Sequence, residues 1–188
     1  MMNFKVPVGI SNRHVHLTQE VYNQLFDEEW EKVKDLKQTG EFASNLFVTI
    51  EGPNGSIPHV RVLGPVRKYV QVEVSAMDAH TLGVNPPVRK SGDLAGAETV
   101  TLVTDKGRVE VKEACILAEC HIHMSMEDLE TYGVSNEQVV RVHVKGKREG
   151  ILFAHIKASE NGVLEFHVDR DEANAMLLSN GEELEVEV

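Results

Sequence analysis

The sequence predicts a mostly β protein made of two antiparallel β-barrels, related by an internal repeat and each capped by short α-helices. Three observations lead to this fold class. Segments with a strand-like pattern are the dominant predicted elements of the 188-residue chain, turn signals separate them, and one motif occurs twice. Many short strands joined by turns are typical of barrels and sandwiches. The repeat favours two copies of one barrel.

The predicted strands follow one another along nearly the whole chain. In each, apolar residues alternate with polar ones, or Val, Ile and Phe dominate. The segments are FKVPVGI, LFVTIEG, HVRVLG, YVQVEVS, TVTLVTDKGRVEVKEACILAE, VVRVHVKG, GILFAHIKAS and LEFHVD. A turn at 105–107 splits the longest segment into a hairpin, and further turns are predicted at 52–55 and 161–162.

Short helices are predicted where a capping residue follows a strand. Thr18 can cap a helix through QEVYNQLFDEE. Ser125 and Asp128 form a capping box for MEDLETY, which Gly133 would end. Asp169 begins RDEANAMLL in a similar way, and DAHTLG predicts a further short turn. These helices are too short to form a layer of their own, so they are expected to cap the barrels.

Composition and charge exclude several classes of protein. The formal net charge of −11 argues against a general binder of nucleic acids or anionic membranes. No apolar run approaches the roughly 18 residues that a membrane helix needs, and the N-terminal MMNFKVPVGIS lacks the features of a signal peptide. Two cysteines, Cys115 and Cys120, are too few for a disulfide framework, so we expect reduced thiols in a cytoplasmic protein.

The motif that occurs twice is rich in histidine. The first copy, HVHLTQE, begins at His14, and the second, HIHMSME, begins at His121. Alternate residues of a strand point to one side, so His14 and His16 project together, as do His121 and His123. Two imidazoles on one face form half of a site for zinc or a similar ion. A single copy is more often a satisfied surface pair, but two copies at equivalent positions favour metal binding.

Two catalytic zinc ions would need about two more ligands, because such an ion takes three protein ligands and leaves a fourth position open. Glu73 is a candidate, since it shares the polar face of YVQVEVS with Gln71 and Ser75, although most such faces are merely solvated. His167 is another, because it ends a strand just before a helix cap, as the two motifs do. The remaining candidates are the other histidines, His59, His80, His143 and His155.

Basic residues cluster in two segments of this acidic chain. VRVLGPVRK contains Arg67, and NPPVRKSGD contains Arg89 and, after its basic pair, Ser91. A guanidinium near a metal pair suits phosphate, because it is always charged and binds oxygens bidentately. Ser91 and the following glycine would offer a hydroxyl and a backbone N–H. Such patches are usually solvated surface, so these residues alone leave phosphate binding open.

Five blocks of the sequence resemble one enzyme family. They are VPVGISNRHVHL, VRVLGPVRKYVQVEVS, NPPVRKSGD, HIHMS and EFHVDRDEANA, which follow in the right order between Val6 and Ala175. Together they are similar to the phosphate propanoyltransferases, the phosphotransacylases of the propanediol-utilisation type. The resemblance implies two β-barrels capped by short helices, one from residues 1–12 and 119–188 and the other from 13–118, with the active site between them.

The resemblance also implies a cofactor and its ligands. Members of the family hold two zinc ions, so this chain is expected to bind two Zn2+. Matching motif to motif assigns six ligands, three to each ion: His14, His16 and Glu73 to one, and His121, His123 and His167 to the other. Three ligands each is the number that an open catalytic zinc site requires.

The reaction implied by the resemblance moves a short acyl group between coenzyme A and phosphate. The expected partners are therefore acyl-CoA or CoA, and phosphate or acyl phosphate, with propanoyl and acetyl both open. Arg67 would contact phosphate and act in catalysis, and Ser91 and Arg89 would line the substrate pocket. Metal-held phosphate is expected to attack the thioester directly, without an acyl-cysteine, because Cys120 faces away from His121.

The sequence departs from the family pattern in two places. The family usually has Arg before His-Ile-His-Met in the second motif, whereas this chain has Cys120. Members packed into bacterial microcompartments carry an amphipathic N-terminal extension, whereas only 13 residues precede His14 here. We therefore expect a cytoplasmic enzyme that is not packed by that route, and a homodimer from the frequency of that assembly among soluble oligomers.

Two other functions remain open. A cupin-like mononuclear metalloprotein uses His-x-His followed by Glu, and Glu20 and Glu127 lie four residues after His16 and His123. However, the hydroxyl residues between them are typical helix caps, which would put both glutamates in a first helical turn, where the helix dipole favours acidic groups. A metal-dependent thioesterase would release CoA from acyl-CoA without phosphate.

Overall fold

The computed structural model of the protein describes residues 3–188, which divide into two compact units. The continuous unit is Arg13–Ala118. The split unit joins the described residues up to Asn12 to Glu119–Val188. Both are mostly β, and none of the helices between residues 3 and 188 has the length and apolar character needed to span a membrane.

The elements are numbered in chain order. The strands are β1 (Asn3–Ile10), β2 (His14–His16), β3 (Lys32–Asp35), β4 (Phe42–Glu51), β5 (Ser56–Gly64), β6 (Gln71–Glu73), β7 (Val88–Arg89), β8 (Glu98–Val103), β9 (Arg108–Ala118), β10 (His121–Met124), β11 (Val139–Val144), β12 (Gly150–Ala158), β13 (Glu165–Val168) and β14 (Glu183–Glu187). The helices are α1 (Gln19–Leu25), α2 (Ala76–Leu82), α3 (Met126–Tyr132) and α4 (Arg170–Met176).

Six strands of the continuous unit close into a ring in the order β4-β5-β2-β6-β9-β8. The ring closes because β8 pairs with both β9 and β4, while β3 and β7 extend it beside β4 and β9. Every second residue of these strands points inward. Val15, Val62, Val72 and Leu102 are completely buried in the resulting core.

The split unit closes a ring of its own in the order β1-β13-β10-β12-β11-β14. Val6, Ile122, Ile156 and Phe166 are completely buried inside it. β14 was not among the predicted strands, although its apolar residues alternate and point inward. The predicted fold class is confirmed: residues 3–188 form two six-stranded barrels with four short helices.

The two rings match strand for strand. In each, the His-x-His strand (β2 or β10) runs parallel to one neighbour (β5 or β12) and antiparallel to the other (β6 or β13). The antiparallel neighbour, β6 or β13, itself runs parallel to the next strand of its ring, which is β9 in the continuous unit and β1 in the split unit. Each ring therefore contains parallel pairs among antiparallel ones, which the alternation within a single strand does not reveal.

The matching strands differ in one respect, which is their place along the chain. In the continuous unit, β9 follows all the other strands of its ring. Its counterpart in the split unit is β1, which comes first in the chain and pairs with β13 and β14. The split unit is therefore a circular permutation of the continuous unit, with its last strand supplied from the N-terminal segment.

The helices begin and end at recognisable caps. α3 begins after Ser125, which forms a capping box with Asp128, and ends at Gly133 in the left-handed region, as predicted. α4 begins after a capping box of the same kind. α1 ends at Leu25, earlier than predicted, because Phe26 adopts an extended backbone. The short turn predicted at DAHTLG is part of a full helix, α2, which has a capping box of its own.

Candidate metal centres

Two groups of side chains could each hold a metal ion. In the continuous unit they are His14, His16 and Glu73, here called the His-His-Glu triad. In the split unit they are His121, His123 and His167, here called the His-His-His triad. Within each triad the potential ligand atoms all lie within 4.8 Å of one another. These are the same two sets of three residues that the family resemblance implied.

The strand register explains why residues far apart in sequence form each triad. His14 is the cross-strand partner of Glu73 in the β2–β6 pair. His121 is the cross-strand partner of His167 in the β10–β13 pair. Directly opposed residues lie on the same face of a sheet with their Cβ atoms close together. The third donor of each triad therefore faces the first histidine of its motif.

The His-His-Glu triad is almost enclosed by protein. Nε2 of His14 lies 3.5 Å from Oε2 of Glu73, and the rings of His14 and His16 meet edge to face with centroids 4.9 Å apart. His14 is 8% exposed and His16 is 2% exposed. Two imidazoles and one carboxylate in a dry setting are donors that fit zinc and related divalent ions.

The His-His-His triad has a defined tautomer at its first member. Nδ1 of His121 lies 2.8 Å from the carbonyl oxygen of Glu119, to which it donates, so Nε2 presents its lone pair to the triad. Nε2 of His121 lies 3.0 Å from Nε2 of His123. Burial, and then the neighbouring His121 and His167, hold the pKa of His123 well below its ordinary value. His123 is therefore neutral at physiological pH, which is the form that binds metals.

A glutamine links the His-His-Glu triad to a loop. Gln71 is completely buried, so this polar strand face is not solvated at that position. Its Nε2 donates to Oε1 of Glu73 at 2.5 Å and to Oγ of Ser91 at 2.9 Å. The N–H of Gly92 donates to Oε1 of Gln71 at 2.8 Å. Ser91, predicted from its place beside a basic pair, is thus joined to the triad through a residue to which the sequence analysis assigned no role.

The two predicted arginines are tied to different parts of the continuous unit. The backbone N–H of Arg67 donates to the carbonyl of Leu17, which directly follows β2, and its Nη2 lies 2.6 Å from Oε1 of Glu41. Arg89 donates through Nε to the carbonyl of Ala95 and through Nη1 to its neighbour's carbonyl. The structure therefore anchors Arg67 beside the first His-x-His motif and ties Arg89, at the end of β7, to the segment that follows it.

The residue before each His-x-His motif contacts the acid of a helix capping box. In the continuous unit, Nε of Arg13 donates to Oδ2 of Asp78 at 3.0 Å. In the split unit, Sγ of Cys120 donates to Oε1 of Glu172 at 2.9 Å. Burial first, and then Glu172, raise the pKa of Cys120. The thiol thus stays protonated and joins β10 to the helix that follows His167.

The remaining candidates from the sequence lie outside the triads. Glu20 and Glu127 lie in the first turns of α1 and α3, as the helix-cap interpretation predicted. His59 stacks on Phe47 with ring centroids 3.7 Å apart, and His143 pairs with Glu187. The two potential metal groups in the described part of the chain include neither glutamate, so the pattern of a cupin site is not formed.

The chain is similar to one family of acyltransferases over most of its length. A family model described as phosphate propanoyltransferase matches residues 7–179. A protein of that name from Thermotoga maritima is 48% identical over 179 residues, covering 93% of this chain and 85% of the relative. One from Priestia megaterium is 49% identical over 180 residues, covering 94% and 83%. One from Lachnoclostridium phytofermentans is 46% identical over 183 residues, covering 95% and 85%.

Proposed function

The chain belongs to the phosphate propanoyltransferase family and is an acyltransferase, and from this premise we propose that it moves propanoyl or acetyl groups reversibly between coenzyme A and phosphate. The observation that supports the proposal most is that both triads fall inside the matched residues 7–179. Two sets of three metal donors within one acyltransferase sequence are what a metal-dependent transfer to an anion requires.

The proposed reaction is a direct transfer without a covalent enzyme intermediate. A phosphate oxygen attacks the carbonyl carbon of the thioester, a C–O bond forms, the C–S bond breaks, and CoA leaves as the thiolate. The state of the two cysteines supports this route. Burial raises the pKa of Cys115 to about 12, and the pKa of Cys120 is raised as well. Neither thiol is therefore available as a thiolate nucleophile at neutral pH.

The two triads would each hold one ion, which we propose to be zinc. Bound zinc would supply positive charge that lowers the repulsion between phosphate and the carbonyl oxygen of the thioester. The protein's own part is to hold the histidine donors neutral and to keep all six donors buried or half-buried and in register. The low pKa of His123 and the fixed tautomer of His121 support that part of the proposal.

Arg67 is proposed to bind the attacking phosphate. Its guanidinium is paired with Glu41, and the Arg67 side chain is 21% exposed. An arriving phosphate would take over donors that now face Glu41, so the carboxylate keeps the arginine oriented until the substrate binds. Ser91 would donate its hydroxyl proton to the same substrate, because its oxygen already accepts from Gln71. Arg89, at the end of β7 and two residues before Ser91, would also contact the substrate.

The experiment that tests the proposed function measures release of CoA thiol from propanoyl-CoA and acetyl-CoA. It is run with and without phosphate, and before and after chelation with zinc restored. We expect release that needs both phosphate and metal, with formation of acyl phosphate. Release without phosphate would instead identify a metal thioesterase. No release with either substrate, from protein shown to bind two zinc ions, would contradict the assigned reaction.

The predicted homodimer and cytoplasmic location also stay proposals. Light scattering coupled to size-exclusion chromatography would test the assembly, since the molecular mass of one chain is 20.9 kDa. Fractionation of the native cells would test the location, with recovery in the soluble fraction as the expected result.

A further inference from the structure

We propose that Gln71 and Glu165 are a matched pair of positioning residues, one for each triad, that orient the third metal donor and so determine how tightly its ion is held. The inference rests on the proposed zinc binding, but it concerns residues that the ligand assignment does not include. Both residues occupy the same place in their rings. Gln71 is the cross-strand partner of His16, and Glu165 is the cross-strand partner of His123.

The orientation of the Gln71 amide is fixed by three hydrogen bonds. The N–H of Gly92 is a donor, so the Gln71 atom that faces it must be the oxygen. Nε2 is then directed to Oε1 of Glu73 and to Ser91. With Oε1 of Glu73 occupied by Gln71, the other oxygen, Oε2, is the one that lies beside Nε2 of His14. Gln71 thereby selects the carboxylate oxygen of Glu73 that faces an ion.

Glu165 makes the corresponding contact in the split unit. Its Oε2 lies 2.6 Å from Nε2 of His167, and only 8% of the residue is exposed. A carboxylate that accepts a hydrogen bond from one ring N–H of a metal-binding histidine fixes the ring and makes the other nitrogen a better metal donor. Glu165 is not one of the three donors of the His-His-His triad. Its contact with His167 is therefore that of a residue acting through a ligand.

Space for the Glu165 side chain depends on a glycine. Gly9 is the cross-strand partner of His167 in the β1–β13 pair. A Cβ atom at position 9 would lie 2.5 Å from the carboxyl carbon of Glu165, closer than real Cβ contacts allow. At the equivalent place in the continuous unit, the partner of Glu73 is Ile116. Glycine at position 9 therefore leaves the space that the Glu165 carboxylate occupies beside His167.

The chemistry of each positioning residue is matched to its ligand. The third donor of the continuous unit is a carboxylate, which needs a hydrogen-bond donor, and its neighbour Gln71 supplies an amide N–H. The third donor of the split unit is an imidazole, which needs an acceptor, and its neighbour Glu165 supplies a carboxylate. One rule therefore explains why equivalent positions of the two rings hold a glutamine and a glutamate. Each side chain supplies the hydrogen-bonding group that the neighbouring metal donor needs.

The test is the zinc affinity of the full-length protein, measured by competition with a chromogenic chelator. Gln71→Leu and Glu165→Leu should each weaken one of two sites by about 10- to 100-fold and leave the other unchanged. At saturating zinc both leucine variants should still bind two ions. This result would distinguish them from Glu73→Ala and His167→Ala, each of which removes a metal ligand. Glu165→Gln should recover part of the affinity, because its amide oxygen can still accept from His167. Gln71→Glu should not recover it, because two carboxylates would then meet.

The kinetic readout separates positioning from general damage to the fold. At saturating zinc, Gln71→Leu should raise the KM for phosphate more than it lowers kcat, because Gln71 also holds Ser91 and Gly92. Ser44→Ala is the matched control in the continuous unit, since Ser44 is equally buried and bonds to the carbonyl of Val62. It should leave both zinc affinities unchanged.

Two results would overturn the inference. One is wild-type zinc affinity in both leucine variants, and the other is complete loss of one ion at saturating zinc, which would make the residue a ligand or a purely structural element. Because zinc affinity is measured without substrate, this outcome is independent of the acyl-transfer assay. A wild-type protein that binds two ions without phosphate-dependent thiol release would contradict the proposed reaction and leave the positioning test intact.

Discussion

The continuous unit and the split unit close the same ring of six strands, yet they support their triads with different side chains. Glu73 in one is matched by His167 in the other, and both occupy the position opposite the first histidine of the motif. Where Arg13 meets Asp78 in the continuous unit, Cys120 meets Glu172 in the split unit. Strand register therefore determines where each metal donor lies. The chemical type of a residue can differ between the two units if the residue that contacts it differs as well.

The largest expected effect comes from removing one histidine from either triad. His14→Ala and His121→Ala should each lower phosphate-dependent release of CoA by roughly three orders of magnitude or more, because a metal would lose one of three ligands. Zinc content and activity are measured together, and circular dichroism checks that the fold remains. His143→Ala, which removes a histidine paired with Glu187 outside both triads, is the control. If one triad variant kept full activity, the two units would have different functions.

A smaller effect is expected from substitution of Arg67 in the continuous unit. Arg67→Lys should raise the KM for phosphate about tenfold or more, since hydrogen bonds to charged groups contribute about 1.5–3 kcal/mol and lysine loses the bidentate geometry. Zinc content should not change. Arg108→Lys is the matched control, because Arg108 pairs with Glu51 on the surface of the same unit. Equal effects of the two substitutions on the KM for phosphate would argue against phosphate binding by Arg67.

The contacts before the two motifs should differ in strength. Arg13→Cys removes a partly buried ion pair and should lower the free energy of unfolding by about 1–2 kcal/mol. Cys120→Ala removes a weaker thiol hydrogen bond and should cost about 1 kcal/mol. Denaturant unfolding measures both, with Arg13→Lys as the variant that keeps the charge. A larger loss at Cys120 than at Arg13 would reverse the order predicted here.

The smallest expected effect is a pH dependence of stability that Glu172 causes in the split unit. Burial is the main cause that raises the pKa of Glu172 above its usual 4.5. The folded state then holds this proton more tightly than the unfolded state, so the contribution of Glu172 to stability falls as pH rises from about 4.5 through the raised pKa. Glu172→Gln should remove that fall, which melting temperatures across this window would detect. Asp78→Asn, which changes the corresponding capping-box acid of the continuous unit, is the matched variant to be measured over the same pH window.

The repeat and the donors could be predicted from the sequence because both leave local signals. Alternate residues of a strand share one face, so His-x-His shows its geometry in three letters, and the capping boxes after each motif are equally local. Gln71 and Glu165 could not be found in this way. Their burial and contacts depend on which strands pair and in what register. The local sequence around a polar strand residue does not distinguish a solvated side chain from a buried one.

The same reasoning explains the smaller differences in the fold. The parallel pairs of each ring join strands that are separated along the chain by a helix and further strands, so no local pattern reports them. α1 ends four residues before the end of the predicted helix because Phe26 has an extended backbone, and the Phe26 ring stacks on that of Tyr22. β14 has the alternation of a strand, in ELEVE, although it was not among the predicted strands.

The permuted order of the split unit has a consequence for protein synthesis. β1 leaves the ribosome before any strand of the continuous unit, yet its two partners, β13 and β14, are among the last segments to be made. The continuous unit has all its strands as soon as β9 has emerged, while β1 must wait as an unpaired edge with its backbone groups exposed. The exposed Lys5 and Pro7, which has no backbone N–H to donate, are residues of the kind that protect such an edge from pairing with another nascent chain.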